Sequence, residues 1–148
     1  MFEKYTESAR RTIFFARKEV IQIGGNTIEP EHLLLAVLGE ERINVPDLLH
    51  GREEAVKHEI RVQVENRYKG AEKLPTKIEV PLSPRTKDVL MFAAEESAKL
   101  SQKHIGLEHL LLGLLRAEDT FAAELLREHG IGHGDVVEVL KVLYEAEN

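Results

Sequence analysis

Hydrophobic residues recur along the start of the chain at the spacing of a helix with one buried face. The first series is Ala9, Ile13, Ala16, Val20 and Ile23. Steps of three and four residues place these side chains on one stripe of a helix. Thr6 stands where a helix N-cap is expected, and Gly24 follows the series where a helix commonly ends. The pattern predicts a first helix between these two residues.

The next stretches have different patterns, and each still indicates a helix. Residues 33–38, after Pro30, are apolar without interruption, which predicts a central helix buried on all sides. A short third helix is predicted from Val45, Leu48 and Leu49, and a fourth is predicted from Val56, Ile60 and Val64. Residues 77–80 alternate like a strand but lie between two prolines. We therefore predict no sheet, and we expect residues 68–81 to form an exposed connector.

The second half of the chain repeats the first. A shift of 77 residues places residues 6–41 on residues 83–118 without a gap, and the string Glu-His-Leu-Leu-Leu occurs at 31–35 and again at 108–112. A third and a fourth helix are again predicted, from Phe121, Leu125 and Leu126 and then from Val136, Leu140 and Tyr144. A repeat of this kind predicts an all-α fold of two tandem four-helix repeats, over residues 1–67 and 82–148, packed with pseudo-two-fold symmetry.

Composition and charge exclude several classes of function. The 148 residues include no cysteine, and the formal net charge is −6, which disfavours disulfides, thiolate metal sites, nucleic-acid binding and anionic membrane surfaces. No apolar run is long enough to cross a membrane, and the first residues lack the pattern of a signal peptide. From these features we expect a cytoplasmic, soluble domain with no cofactor and no metal.

Several motifs in the two halves resemble a known repeat. Phe2-x-x-Tyr5-Thr6-Glu7 and Ile28-x-x-Glu31-His32-Leu33-Leu34-Leu35, with the counterparts Leu82-Ser83-Pro84-Arg85 and Ile105-Gly106-x-Glu108-His109-Leu110-Leu111-Leu112, are similar to the Clp repeat. Two such repeats form the N-terminal domain of the AAA+ Clp unfoldases, here of the ClpC or ClpA type. The resemblance covers essentially the whole chain.

The resemblance implies a non-catalytic module that binds protein substrates and adaptors for a Clp ATPase ring. The sequence agrees with this interpretation because it contains no Gly-x-x-x-x-Gly-Lys-Ser/Thr phosphate loop. The ring could lie on another chain or on a longer form of this one. The alternative is a stand-alone helical regulator that binds a partner protein or a small ligand without an unfoldase.

The resemblance also implies phosphoarginine sites at Glu31 and Glu108, with Thr6 and Ser83 nearby. A carboxylate can accept the N–H donors of a phosphoguanidinium group, while a helix N-terminus suits its phosphate. The first copy departs from the usual motif because Pro30 removes an N–H donor and Glu29 adds a repelling charge. Glu108 is therefore the better candidate. Both carboxylates also have a simpler interpretation, because an acidic residue in the first turn complements the helix dipole.

The histidines and the surface aromatic residues have competing interpretations. His32 and His109 are expected to satisfy backbone groups at the helix starts, and the alternative is a paired metal or acid–base site. The run from His129 through His133 to Asp135 offers two imidazoles and a carboxylate to a metal, but its three glycines make the loop loose. It is expected to hold a helix C-cap followed by an N-cap at Asp135. By resemblance, a surface that grips peptides or adaptors would include Phe2, Tyr5, Leu82 and Phe121. Phe2 could instead be a hydrophobic staple on its own helix.

Overall fold

The protein is described by a computed structural model that covers residues 2–40, 49, 51–75 and 79–147. Across these residues the chain forms seven helices and no strand. They are α1 (Glu7–Ile23), α2 (Pro30–Gly39), α3 (Glu53–Arg67), α4 (Pro84–Lys99), α5 (Leu107–Arg116), α6 (Phe121–Glu128) and α7 (His133–Glu147). The predicted all-α fold class is confirmed.

Local sequence signals set the ends of the outer helices. The hydroxyl of Thr6 accepts a hydrogen bond of 3.1 Å from the backbone N–H of Ala9, and the Ser83 hydroxyl accepts one of 3.1 Å from Thr86. Both residues are therefore the N-caps that the sequence predicts. Helix α1 stops at Gly24, whose φ of 127° lies in a region that residues with a side chain rarely adopt.

Helices α2 and α5 form the centre of the molecule. Residues 30–38 of α2 are all buried, as the uninterrupted apolar pattern predicts. Helix α1 packs along α2, α4 packs along α5, and the two central helices contact each other. Helix α3 covers α2 while α6 and α7 cover α5. The starts of α2 and α5 are therefore held in the middle of the fold, where their first turns meet the ends of the covering helices.

Two reciprocal backbone contacts join the halves. Tyr5 forms a parallel bridge with Ile105, and Leu82, the repeat equivalent of Tyr5, forms one with Ile28. The hydrogen bonds match as well, because Thr6 N–H donates to the Ile105 carbonyl at 3.0 Å and Ser83 N–H donates to the Ile28 carbonyl at 3.1 Å. Each half thus contributes the segment before its first helix to the other half, as the predicted pseudo-two-fold arrangement requires.

Two local predictions are wrong, and one lies outside the described residues. Val80 is only 6 % exposed and belongs to the core, so the connector is not exposed throughout. Helix α7 begins at His133, which places Asp135 in the first turn and not at the N-cap. Of the predicted third helix in the first copy, Val45 and Leu48 fall among the undescribed residues. The division into repeats at residues 67 and 82 stays a prediction.

None of the helices in the described part of the chain is long and apolar enough to cross a membrane.

Candidate functional site

The first turn of α2 carries a carboxylate that is held by a tyrosine. Glu31 follows Pro30 in this turn, and its side chain is 8 % exposed. The hydroxyl of Tyr68, just after α3, donates a hydrogen bond of 2.6 Å to Oε2 of Glu31. Burial and the nearby Glu31 carboxylate raise the pKa of Tyr68 well above its usual range, so the phenol stays a donor. We call Glu31, His32 and Tyr68 the repeat-one site.

The first turn of α5 carries the same set of groups in a more open arrangement. Glu108 is 35 % exposed, and Oε2 of its carboxylate accepts a hydrogen bond of 3.3 Å from the Tyr144 hydroxyl of α7. Burial and Glu108 likewise raise the pKa of Tyr144. We call Glu108, His109 and Tyr144 the repeat-two site. Its carboxylate is aligned by a donor and still accessible to a ligand.

Each site contains a buried histidine whose role is structural. Nδ1 of His32 accepts the backbone N–H of Glu29 at 3.0 Å, and Nδ1 of His109 accepts that of Gly106 at 2.9 Å. The predicted role of both histidines at the helix starts is confirmed. With Nδ1 accepting, Nε2–H of His32 donates to the Gly24 carbonyl at 3.1 Å and Nε2–H of His109 donates to the Tyr144 oxygen at 3.0 Å.

Burial lowers the pKa of both histidines. The negative charges of the adjacent Glu31 and Glu108 act in the opposite direction, but their effect is smaller. A neutral imidazole in each site orients the first turn and does not supply a positive charge. In the repeat-two site His109 also positions the tyrosine hydroxyl that holds Glu108.

A single difference in sequence explains why the two carboxylates point differently. A Cβ atom built on Gly106 would collide with Oε1 of Glu108, so this carboxylate folds back over a residue that must lack a side chain. The equivalent position in the first copy is Glu29, which has a side chain. The side chain of Glu29 therefore blocks for Glu31 the conformation that Glu108 adopts. The Glu31 carboxylate instead lies against Tyr68.

A polar pocket of about 440 Å³ opens beside the repeat-one site. Besides Glu31 and Tyr68, its walls include Arg67, Arg85 and Phe121. Arg85 forms ion pairs with Asp88 and Asp119, which neutralise much of its charge. The pocket could accept a small charged group next to Glu31.

Each of the two predicted hydroxyl residues pairs with the other repeat and not with the segment that holds the carboxylate of its own repeat. Thr6 pairs through its backbone with Ile105, two residues before α5 begins, and therefore lies on the repeat-two side. Ser83 pairs with Ile28 on the repeat-one side. The Ser83 side chain is buried and its hydroxyl also donates to Oγ1 of Thr86 at 3.0 Å. Both hydroxyls act as helix caps.

The four residues predicted for peptide or adaptor binding do not form one surface. Phe2 packs edge-to-face on Tyr5 with ring centres 5.1 Å apart, but Tyr5 is only 7 % exposed and belongs to the core. These two line a mostly apolar groove of about 460 Å³ together with Met91 of α4. Leu82 is half-buried at the other bridge, and Phe121 lies in the pocket of the repeat-one site.

Sequence reasoning missed Tyr68 as a site residue and treated Tyr144 only as an apolar position. The chain has three tyrosines. One of them, Tyr68, follows the last helix of the first half, and another, Tyr144, lies near the end of the last helix of the second half. That distribution is a signal that could have identified them. The aligned repeat did not reveal it, because the register of the two copies slips after residue 51 and Tyr144 then aligns with Val64.

The described residues contain no group of three or more His, Asp or Glu side chains that could hold a metal ion. The interpretation of His129 and its neighbours as a helix end agrees with the structure, since His129 is the C-cap of α6.

Comparison with known proteins identifies the family. Residues 4–129 match the Clp repeat (R) N-terminal domain. The chain is 36 % identical over 131 residues to an ATP-dependent Clp protease ATP-binding subunit ClpA homolog of Cyanidium caldarium, covering 88 % of this chain and 15 % of that protein. It is 34 % identical over 147 residues to the chloroplastic chaperone protein ClpC1 of Oryza sativa subsp. japonica, covering 99 % of this chain and 16 % of that protein.

The fold has a solved counterpart. The N-terminal domain of the chaperone ClpD from Arabidopsis thaliana superposes with a TM-score of 0.71 at 27 % identity, covering 95 % of this chain and 97 % of that one. The chain spans about a sixth of the length of the two curated relatives described above. The match over residues 4–129 covers both copies of the Glu-His-Leu-Leu-Leu string. The chain belongs to the Clp repeat (R) N-terminal domain family.

Proposed function

We propose that this domain binds protein segments and adaptors for a Clp-type ATP-dependent unfoldase, and that it recognises phosphoarginine through the repeat-two site. The observation that carries the proposal is the Glu108 carboxylate, which stands in the first turn of α5, 35 % exposed and aligned by the Tyr144 hydroxyl. The role is one of binding and not of catalysis.

The chemistry of phosphoarginine suits both halves of this arrangement. The guanidinium part offers N–H donors in a planar fork that matches a carboxylate. The phosphate part needs donors, and the first turn of a helix has backbone N–H groups without an intrahelical acceptor. In α5 the first two positions are Leu107 and Glu108, whereas α2 begins with Pro30, which has no N–H. The repeat-two site therefore has the fuller set of donors.

The proposal is tested by fluorescence anisotropy with three labelled peptides of one sequence, carrying phosphoarginine, arginine or phosphoserine. We expect the phosphoarginine peptide to bind with a Kd on the order of 1–100 µM and the others more weakly. Glu108→Gln removes the charge but keeps the shape, and we expect it to weaken binding about tenfold or more. Glu31→Gln is the matched control. Equal binding of the three peptides, or none, contradicts phosphoarginine recognition.

Capture of adaptors or unfolded segments is proposed for the groove of Phe2, Tyr5 and Met91. The groove is mostly apolar, and Met91 is 51 % exposed, which suits apolar side chains of many shapes. Pull-down of a Clp ATPase or adaptor, with Met91→Glu as the variant, tests this part. Retention of the partner by that variant would exclude the groove.

The compartment is part of the proposal as well. A cytoplasmic location is predicted from the sequence, while the name of the rice relative specifies the chloroplast. Fluorescent tagging of the full-length protein distinguishes the cytoplasm from a plastid.

A further inference from the structure

The side chain of Arg67 lies in the repeat-one pocket where an external guanidinium group would be expected. Its Cζ atom is 4.2 Å from the centre of the Phe121 ring, and its Nε is 3.9 Å from Oε2 of Glu31. A carboxylate beside an aromatic face is an arrangement by which proteins hold arginine side chains. Here the guanidinium between them belongs to the chain itself.

The next residue engages the same carboxylate oxygen. The Tyr68 hydroxyl donates to Oε2 of Glu31 at 2.6 Å, and its ring lies 4.8 Å from that of His32. Arg67 and Tyr68 are adjacent, at the end of α3 and just beyond it. Together they leave the Glu31 side chain only 8 % exposed.

The repeat-two site has the tyrosine without the cation. Tyr144 contacts Glu108 as Tyr68 contacts Glu31, but the residue before it is Leu143 where the first site has Arg67. A leucine cannot compete for a carboxylate, and the Glu108 side chain remains 35 % exposed. Glu31 thus has a guanidinium group beside it, whereas the ion-pair partner of Glu108 is His109.

We propose that Arg67, with Tyr68, occupies the guanidinium-binding part of the repeat-one site in cis, so that this site accepts an arginine-derived ligand only after Arg67 moves away. The inference rests on the proposed function and adds an internal competitor to one of its two sites. Arg67 is 55 % exposed, so it can leave the pocket without disturbing the core. A group tethered this closely has a high effective concentration at Glu31, which lowers the apparent affinity for an external ligand.

The test compares the two sites one at a time by isothermal titration calorimetry with free phosphoarginine. Glu108→Gln leaves the repeat-one site as the measured one, and adding Arg67→Leu removes the guanidinium group from that site. We expect this addition to tighten binding about 3- to 10-fold, the range of an exposed cation–π contact and a weak ion pair. On a Glu31→Gln background, Arg67→Leu is the matched control and should leave binding at Glu108 unchanged.

Different results would contradict competition by Arg67 and phosphoarginine binding itself. If wild type binds phosphoarginine but Arg67→Leu leaves the repeat-one affinity unchanged or weakens it, Arg67 is not a competitor and the inference is wrong, while the proposed function stands. A weaker affinity in the Arg67→Leu variant would indicate that Arg67 contacts the phosphate of the ligand. If wild type binds no phosphoarginine at all, both fail. Thermal unfolding of each variant first establishes that it is folded.

Discussion

At the scale of single residues, the two buried histidines are held in a neutral form by their partners. Nδ1 of His32 and of His109 each accepts a backbone N–H, so a proton at Nδ1 would remove that hydrogen bond. Burial lowers the pKa of both residues in the folded chain below the ordinary 6.5. Below about pH 6.5 the unfolded chain therefore binds more protons than the folded chain, and stability must fall as the pH falls.

We predict that the free energy of unfolding decreases between pH 7.5 and 5.5, a range in which ordinary carboxylates stay ionised, with a slope of up to about 1.4 kcal/mol per pH unit for each histidine. Urea unfolding at several pH values measures the slope. The double variant His32→Gln/His109→Gln should reduce it, because glutamine can accept the same N–H without titrating. His58→Gln, at an exposed position of α3, is the matched control. An unchanged slope in the double variant would contradict the assignment.

At the scale of helices, the contact between α4 and α5 depends on a glycine. A Cβ atom on Gly113 would lie 2.5 Å from the Val89 carbonyl oxygen and 3.0 Å from the Ala93 nitrogen, so α5 approaches the backbone of α4 more closely than a side chain allows. The equivalent residue of the first copy is Ala36. The α1–α2 pair therefore accommodates a methyl group that the α4–α5 pair excludes.

We predict that Gly113→Ala destabilises the domain by about 1–2 kcal/mol, because the strain of overpacking against backbone exceeds the gain in helix propensity. Gly39→Ala is the control at the end of α2, where a Cβ would meet nothing within 4 Å. We expect it to be neutral or to stabilise by about 0.5 kcal/mol. Chemical denaturation of both variants gives the comparison, and a stabilising Gly113→Ala would show that the helices can separate at little cost.

Most of the helices could be predicted from periodicity, caps and the internal repeat. The all-buried α2 and the N-caps Thr6 and Ser83 follow from local sequence. The start of α7 differs from the predicted one because Asp135 is a plausible cap by residue type, and only the backbone shows that the helix already begins at His133. The burial of Val80 cannot be predicted from alternation in a short segment, because it depends on contacts with distant residues.

The carboxylates of the site could be found from the sequence, but their environments could not. The duplicated string identifies Glu31 and Glu108 as equivalent residues. Their different exposure arises from Gly106 in the second copy and from Arg67 in the first. Both carboxylates also accept a hydrogen bond from a tyrosine that is distant in sequence.

At the scale of the whole molecule, the two repeats complete each other. The segment before α1 pairs with the loop before α5, and the segment before α4 pairs with the loop before α2. The core runs through both halves, and α2 and α5 contact each other at its centre. Neither half can lose its structure without exposing apolar surface of the other, so we expect the domain to unfold in one step.

We predict that the slowest-exchanging amides of α2 and of α5 open with the same free energy, equal to the global free energy of unfolding. Native-state hydrogen exchange by NMR at increasing denaturant measures both helices in one sample. If one helix exchanges through a lower-energy opening while the other stays protected, the repeats are separate cooperative units and this description of the core is wrong.

Recognition of phosphoarginine through Glu108 is tested most directly by a crystal structure of the domain grown with free phosphoarginine. We predict the ligand at the repeat-two site, with its guanidinium N–H groups on the Glu108 carboxylate and its phosphate at the first backbone N–H groups of α5. At the repeat-one site we predict that Arg67 is still beside Glu31, or is displaced only at higher ligand concentration. Phosphoarginine bound away from both carboxylates, or absent at a saturating concentration, would contradict recognition through Glu108.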